Sequence, residues 1–154
     1  MFRLVFVILL LILPRFAEAV ECPVSKPNMV DPIGALKSND YHGWFGSSEL
    51  AALIPHSGRW MGMGEDYNFR NKFWWWRSGY RAGSNLEKSL TIYAKNLDNG
   101  DSFSIDRATN ARAGSDNYEW DSMLVGMEYS SRGCWEIIGS FGKQKLVIVL
   151  EVGE

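Results

Sequence analysis

Short runs of alternating apolar and polar residues, separated by turn-forming residues, fill the chain downstream of residue 58. In residues 89–95 the apolar side chains fall at every second position, which is the period of a β-strand with one buried face. Sequences typical of tight turns, such as residues 98–101 (Asp-Asn-Gly-Asp), lie between the runs. The pattern predicts seven strands, at residues 59–61, 67–77, 89–95, 102–107, 123–129, 134–141 and 145–152. Many short strands joined by turns favour an all-β sandwich of about seven to eight strands.

The segment that precedes these strands carries different signals. Its prolines at positions 23, 27 and 32 exclude a helix or a continuous strand, so residues 20–38 are predicted to form an extended lead-in to a domain at residues 39–154. Farther on, Ser47 or Ser48 can cap a helix, Glu49 suits the positive helix N-terminus, and Pro55 would end it. We therefore predict one short helix at residues 49–54.

The first nineteen residues have the layout of a secretory signal peptide. Arg3 gives a positive start, and residues 4–13 are all apolar. Ala17 and Ala19 place small residues at the two positions that a signal peptidase recognises before its cleavage site. These ten apolar residues are too few to cross a bilayer as a helix, which takes about 20. The pattern predicts cleavage of residues 1–19, export to the periplasm or the extracellular space, and no transmembrane segment in the processed chain.

Two cysteines, Cys22 and Cys134, occur in the chain. An oxidising compartment favours a disulfide between them, which would tie the lead-in to the domain. The alternative is two unpaired thiols, and it stays open because a sequence does not show the distance between the two Cα atoms.

Composition and charge narrow the class of protein. Hydrophobic residues make up 46% of the chain, which is typical of a globular domain and too high for a disordered one. The formal net charge is -2, and removal of the leader would leave 14 basic against 17 acidic groups. The chain has no cationic excess to neutralise a phosphate backbone, so nucleic acid is excluded as a predicted partner.

An aromatic strand is the strongest local feature, because residues 73–76 read Phe-Trp-Trp-Trp. Neighbouring side chains of a strand point to opposite faces, so if Phe73 and Trp75 face the core, Trp74 and Trp76 face outward beside Arg70. Aromatic side chains flanked by cations are suited to stack on sugar rings or to bind a partner peptide.

We therefore predict Trp74, Trp76 and Arg70 as ligand-binding residues, with Trp60 and Trp120 as lesser candidates. The alternative is a structural role, in which the helix at residues 49–54 or the proline-rich lead-in covers the outer rings, since large aromatic side chains often fill cores.

Catalytic and metal motifs are missing from the sequence. His42 and His56 are the only histidines, and no H-x-x-x-H or C-x-x-C spacing occurs. A Ser-His-Asp set drawn from Ser47, a histidine and Asp40 lacks the glycine pattern of a nucleophile elbow. Two acidic loops, at residues 98–101 and 116–121, lack calcium-loop spacing and are expected to be solvated. The sequence thus predicts no enzyme, no metal and no cofactor, and the alternative is a secreted hydrolase using His42 or His56 with a carboxylate.

Several short strings together resemble a group of uncharacterised secreted bacterial proteins. The most specific is the Gly-Cys-Trp-Glu-Ile strand at residues 133–137 with its closing hairpin, which resembles the end of many immunoglobulin-like domains. The other strings are Gly-Trp-Phe-Gly at 43–46, Gly-Arg-Trp at 58–60, residues 73–77 with Gly-Tyr at 79–80, Ala-Thr-Asn-Ala at 108–111 and Met-Leu-Val-Gly at 123–126. The resemblance spans about residues 39–152, and it implies an immunoglobulin-like sandwich and no activity.

Residues and resemblance together predict a non-catalytic exported module whose partner is an envelope protein or a glycan. The carbohydrate-binding version of this prediction uses the face that carries Trp74 and Trp76.

Overall fold

The computed structural model describes residues 21–61, 69–81, 90–109 and 122–153. Within these residues the chain is all-β, with nine strands in two sheets and no helix. The strands are β1 (His42–Gly46), β2 (Leu50–Pro55), β3 (Arg59–Met61), β4 (Phe69–Arg77), β5 (Leu90–Asn96), β6 (Ser102–Ile105), β7 (Met123–Tyr129), β8 (Gly133–Phe141) and β9 (Gln144–Gly153). None of the described segments forms an apolar helix of bilayer-spanning length.

The strands divide into a four-stranded and a five-stranded sheet. The first has the order β1-β2-β4-β7, and all of its neighbours are antiparallel. The second has the order β3-β9-β8-β5-β6, in which β3 runs parallel to β9 and the other pairs are antiparallel. Because β2 and β3 follow each other in the chain but belong to different sheets, the backbone crosses between the sheets at residues 56–58.

One continuous buried core joins the two sheets. Alternate residues of β2, β4 and β7 face alternate residues of β5, β8 and β9 across it. Its largest fully buried side chains are Phe73 and Trp75 from β4 and Trp135 from β8. The shared core confirms the all-β prediction and the inward direction of Phe73 and Trp75.

The two sheets approach closely where Trp75 meets Gly139. A Cβ atom at Gly139 would overlap the six-membered ring of Trp75, so this position of β8 has room only for a glycine unless the ring moves. The indole Nε1 of Trp75 is buried here without a hydrogen-bond partner among the described residues. Close packing over the β8 backbone therefore positions this ring.

The predicted helix at residues 49–54 is wrong, because this segment forms β2. All six residues of Leu50–Pro55 are buried, half of them toward the shared core and half toward the outer face. A strand that is covered on both faces loses the period of two, so its Leu-Ala-Ala-Leu-Ile sequence resembles a helix. Ser47 does make the local bonds expected of a cap, but its Oγ accepts the N–H groups of Glu49 and Leu50 within the β1–β2 turn.

The predicted strands agree with the observed ones over most of their length. The strand predicted at 102–107 ends at Ile105, before Arg107 takes a left-handed backbone conformation with φ of 55°. Residues 67, 68 and 89, which were predicted to begin two strands, lie outside the described residues.

The lead-in is tied to both sheets. Cys22 and Cys134 form a disulfide with an S–S distance of 2.07 Å and a Cα–Cα distance of 5.5 Å, which confirms the predicted pair. Ser25 then donates its N–H to the carbonyl of Val149 in β9 (2.7 Å), and Asn28 donates to the carbonyl of Trp44 in β1 (3.0 Å). β1 is an edge strand, and Val149 lies on the part of β9 along which β3 does not extend, so these bonds occupy backbone groups that would otherwise be open to pairing with other chains. The predicted leader, residues 1–19, lies outside the described residues.

Candidate functional site

The outer face of the four-stranded sheet carries the outward tryptophans of β4. Trp74 and Trp76 are half-buried there and pack against a second apolar cluster centred on Trp44. Met29 and Leu36 of the lead-in contribute to this cluster, and the Trp44 indole donates its Nε1–H to the Leu36 carbonyl at 2.9 Å. The lead-in therefore covers part of this face, as the structural alternative predicted, whereas the helix proposed in that alternative does not exist.

A gap opens in this sheet beside the first half of β4. The pairing of β2 with β4 extends only from Leu50–Arg77 to Leu53–Trp74, because β2 then turns away toward the other sheet. The earlier residues of β4, up to Phe73, pair with β7 along their other edge. The register of the strands thus leaves a notch between the end of β2 and the start of β4.

A groove with a volume of about 530 Å³ occupies this notch. Its described lining residues are Leu36, Asn39, Tyr41, His42, Leu53, Pro55, Ser57, Arg59, Trp60, Met61, Asn71, Lys72 and Trp74. Tyr41 and Met61, at 76% and 67% exposure, stand at its rim. Trp60 is only 5% exposed and stacks on Phe73 of the core with ring centroids 3.9 Å apart. The groove therefore combines a fixed aromatic wall with side chains that remain open to solvent.

Asn71 connects β3 to β4 beside the notch. Its Nδ2 donates to the Met61 carbonyl at 3.3 Å, and its Oδ1 accepts the Lys72 N–H at 2.7 Å. One side chain thus links β3 and β4 at the position where the backbone ladder between β2 and β4 has ended. This bond adds a side-chain contact between the two sheets at the groove, since β3 and β4 belong to different sheets.

Basic side chains dominate the charge of the groove. Arg59 lies against Glu151, with 2.8 Å between Nε and Oε2, so its charge is offset locally. In the described part of the chain Lys72 takes part in no ion pair, and no carboxylate is among the described lining residues. The described part of the groove wall is accordingly electropositive at Lys72, although the whole chain carries a net charge of -2.

His42 lies in the wall of the groove, with its ring centroid 5.7 Å from that of Trp60. Burial lowers the pKa of His42, and the nearby charge of His56 lowers it further, so His42 is neutral near pH 7. His56 donates from Nε2 to the Asn39 carbonyl at 3.2 Å. The two histidines thus lie at one end of the β1–β2 hairpin, and the described groove wall adds no carboxylate to them. The hydrolase hypothesis stays a prediction without a described acid partner.

The structure separates the three predicted ligand-binding residues. Both tryptophans pack against the cluster beneath the lead-in, but only Trp74 is among the described lining residues of the groove. Arg70 forms a two-pronged ion pair with Glu128, with distances of 3.1 Å for both Nε–Oε2 and Nη2–Oε1. Of the lesser candidates, Trp60 lines the groove and Trp120 lies outside the described residues.

The acidic loop at residues 98–101 serves the fold. Asp98 accepts the backbone N–H of Cys134 at 2.8 Å, and Asp101 accepts the hydroxyl of Ser130 at 2.9 Å. Asp116, Glu119 and Asp121 of the other acidic loop lie outside the described residues. Among the residues that the structure describes, no three His, Cys, Asp or Glu side chains cluster as metal ligands would.

Comparison of the chain with protein-family models, curated proteins and solved structures finds no match. The resemblance to secreted bacterial proteins therefore stays a prediction. The site is defined by its geometry alone: an aromatic groove, basic in its described wall, between strands of a two-sheet all-β structure.

Proposed function

We propose that this chain is an exported, non-catalytic binding module whose ligand occupies the groove beside β4. The observation that carries the proposal is that Trp74 lines a groove of about 530 Å³ together with polar side chains from the segment before β1, the β2–β3 connection and β4 itself. Grooves of roughly 300 to 1,000 Å³ suit small ligands or short oligomers. The position of Asn39, Ser57 and Asn71 around an aromatic wall supports a ligand with both flat apolar and polar surfaces.

A glycan has these two kinds of surface. The C–H groups of a sugar ring form a flat apolar face that stacks on an aromatic side chain, and its hydroxyls bond to polar groups at the edge. Trp74 offers such a surface, and Tyr41 stands exposed at the rim. We therefore propose a glycan as the first candidate ligand. An envelope-protein partner is the candidate that remains if the test below finds no glycan that binds.

Export is supported by the disulfide. A bridge between Cys22 and Cys134 persists in an oxidising compartment and is rare in a reducing cytosol. Together with the leader expected at residues 1–19, it favours the periplasm or the extracellular space.

The fold proposal is an immunoglobulin-like sandwich of the variable type. In sequence order, β2, β4 and β7 take the places of strands A, B and E, and β5, β6, β8 and β9 those of C, C′, F and G. Trp75 and Gly139 then make contact between the B-like and F-like strands, which a disulfide joins in antibody domains. A D-like strand would fall between β6 and β7, where residues 110–121 lie outside the described residues.

Binding to a panel of immobilised glycans, followed by calorimetry on the ones retained, tests the function. We expect Trp74→Ala to weaken binding by about tenfold or more, because it removes the stacking surface. Trp76→Ala is the matched control, since it removes the same side chain from the same face but outside the groove, and its affinity should equal that of the wild type.

Retained folding of both variants is checked by thermal unfolding. Equal losses in the two variants would place the ligand elsewhere on this face. No retained glycan at all would reject the carbohydrate version and leave a protein partner.

A further inference from the structure

We infer that the groove selects acidic glycans, with Lys72 pairing with a sugar carboxylate while the sugar ring stacks on Trp74. This inference rests on the proposed function and names the class of its ligand. It follows from the charges, the spacing and the hydrogen-bonding capacity of the groove.

The first step is the uncompensated charge. Glu151 offsets the charge of Arg59, and burial keeps His42 neutral near pH 7. Lys72 therefore supplies the net positive charge of the described groove wall. A single ammonium matches a single carboxylate per sugar, which is the charge of a uronic-acid residue.

The second step is the spacing along β4. Lys72 and Trp74 are two residues apart, so their side chains share a face with a separation of roughly 7 Å along the strand. A sugar ring centred on Trp74 thus brings a carboxylate on its own edge within reach of the flexible lysine. Trp76 lies at the same spacing on the far side of Trp74, but it is not among the described lining residues of the groove.

The third step is the hydrogen-bonding capacity of the groove. The side-chain oxygens of Asn39, Asn71 and Ser57 already accept backbone N–H groups at 2.7 to 3.1 Å. The Ser57 hydroxyl also donates to the Arg59 carbonyl at 3.3 Å, and the Asn71 amide donates to the Met61 carbonyl at 3.3 Å. The Lys72 ammonium is therefore the charged donor that the described groove wall offers a ligand. A carboxylated sugar gives this ammonium a charge-assisted bond, whereas a neutral glycan offers it only a hydroxyl oxygen.

The test compares acidic oligosaccharides with their own neutral forms. Oligomers of galacturonate, of alginate and of hyaluronan are titrated by calorimetry, each beside a carboxyl-reduced counterpart with the same rings and linkages. At least one acidic oligomer should bind, and its reduced counterpart should bind about tenfold more weakly or worse, because a charge-assisted bond is lost.

Variants at Lys72 assign the effect. Lys72→Gln should lose the preference for the acidic form, and Lys72→Arg should retain it. Lys145→Gln, at an exposed position of β9 in the other sheet, is the control and should bind as the wild type does.

The outcomes separate the two proposals. Equal binding of acidic and reduced forms, or a preference that survives Lys72→Gln, overturns the acidic-glycan inference and leaves the binding module standing. Tighter binding of a sulfated oligosaccharide than of every carboxylated one overturns the carboxylate assignment. Absence of binding by acidic and neutral oligomers alike rejects the glycan-binding function itself, and the inference with it.

Discussion

At the scale of single residues, the structure depends on a few positions whose role is invisible in the sequence. Trp75 was predicted to face inward because it alternates with Trp74 and Trp76 along the strand. That its ring would lie on the backbone of Gly139 was not predictable, because a glycine within a strand indicates close approach without naming the partner.

Gly139→Ala should therefore destabilise the domain. The added methyl group overlaps the Trp75 ring, and overpacking of this kind costs roughly 1 to 3 kcal/mol. Gly153→Ala is the control, since a Cβ at Gly153 meets nothing within 4 Å, and its effect should stay within about 0.5 kcal/mol. Urea unfolding of both variants measures the difference, and equal stabilities would show that the Trp75 ring is free to move.

Lys72 shows that the role of a binding-site residue is equally hard to predict from the sequence. Alternation along the strand is enough to place it on the outer face with Trp74. Its importance comes from what surrounds it: Glu151 paired with Arg59, and a notch that only the register of β2 against β4 creates.

At the scale of elements, the sequence predicts a strand well where one face of the strand is exposed to solvent. β5 alternates regularly between buried and exposed residues, and its predicted position is correct to within one residue at the end that the structure describes. β2 was mistaken for a helix because the lead-in covers its outer face, and a segment buried on both sides carries no period that distinguishes the two structures.

The lead-in acts as an element although it contains neither helix nor strand in residues 21–38. Its disulfide closes a loop of 112 residues in sequence separation. A double variant, Cys22→Ser with Cys134→Ser, should lower the free energy of unfolding by about 4 to 5 kcal/mol, because the unfolded chain regains the entropy of the open loop.

Guanidinium unfolding of the double variant measures this loss. Wild-type protein unfolded under reducing conditions is the matched control and should show the same loss. A double variant as stable as the oxidised wild type would mean that edge contacts such as Ser25 with Val149 hold the lead-in without the bridge.

At the scale of the whole molecule, two sheets enclose one core. Because the chain crosses from β2 in one sheet to β3 in the other, the pairing of β2 with β4 ends at Leu53 and Trp74. The groove is the consequence of that crossing. Strand content is predictable from local periodicity, but a crossing depends on which distant strands pair, and single-sequence patterns do not contain that information.

The central claim is that the ligand binds in this groove, and the indole N–H signals of the tryptophans test it most directly. With the chain labelled with ¹⁵N and titrated with a retained oligosaccharide, the signals of Trp60 and Trp74 should shift. Those of Trp75 and Trp135, which lie in the core between the sheets, should stay in place. The account would be contradicted if the indole signals of Trp60 and Trp74 stayed in place while backbone amide signals on the outer face of the five-stranded sheet, such as that of Tyr93, shifted.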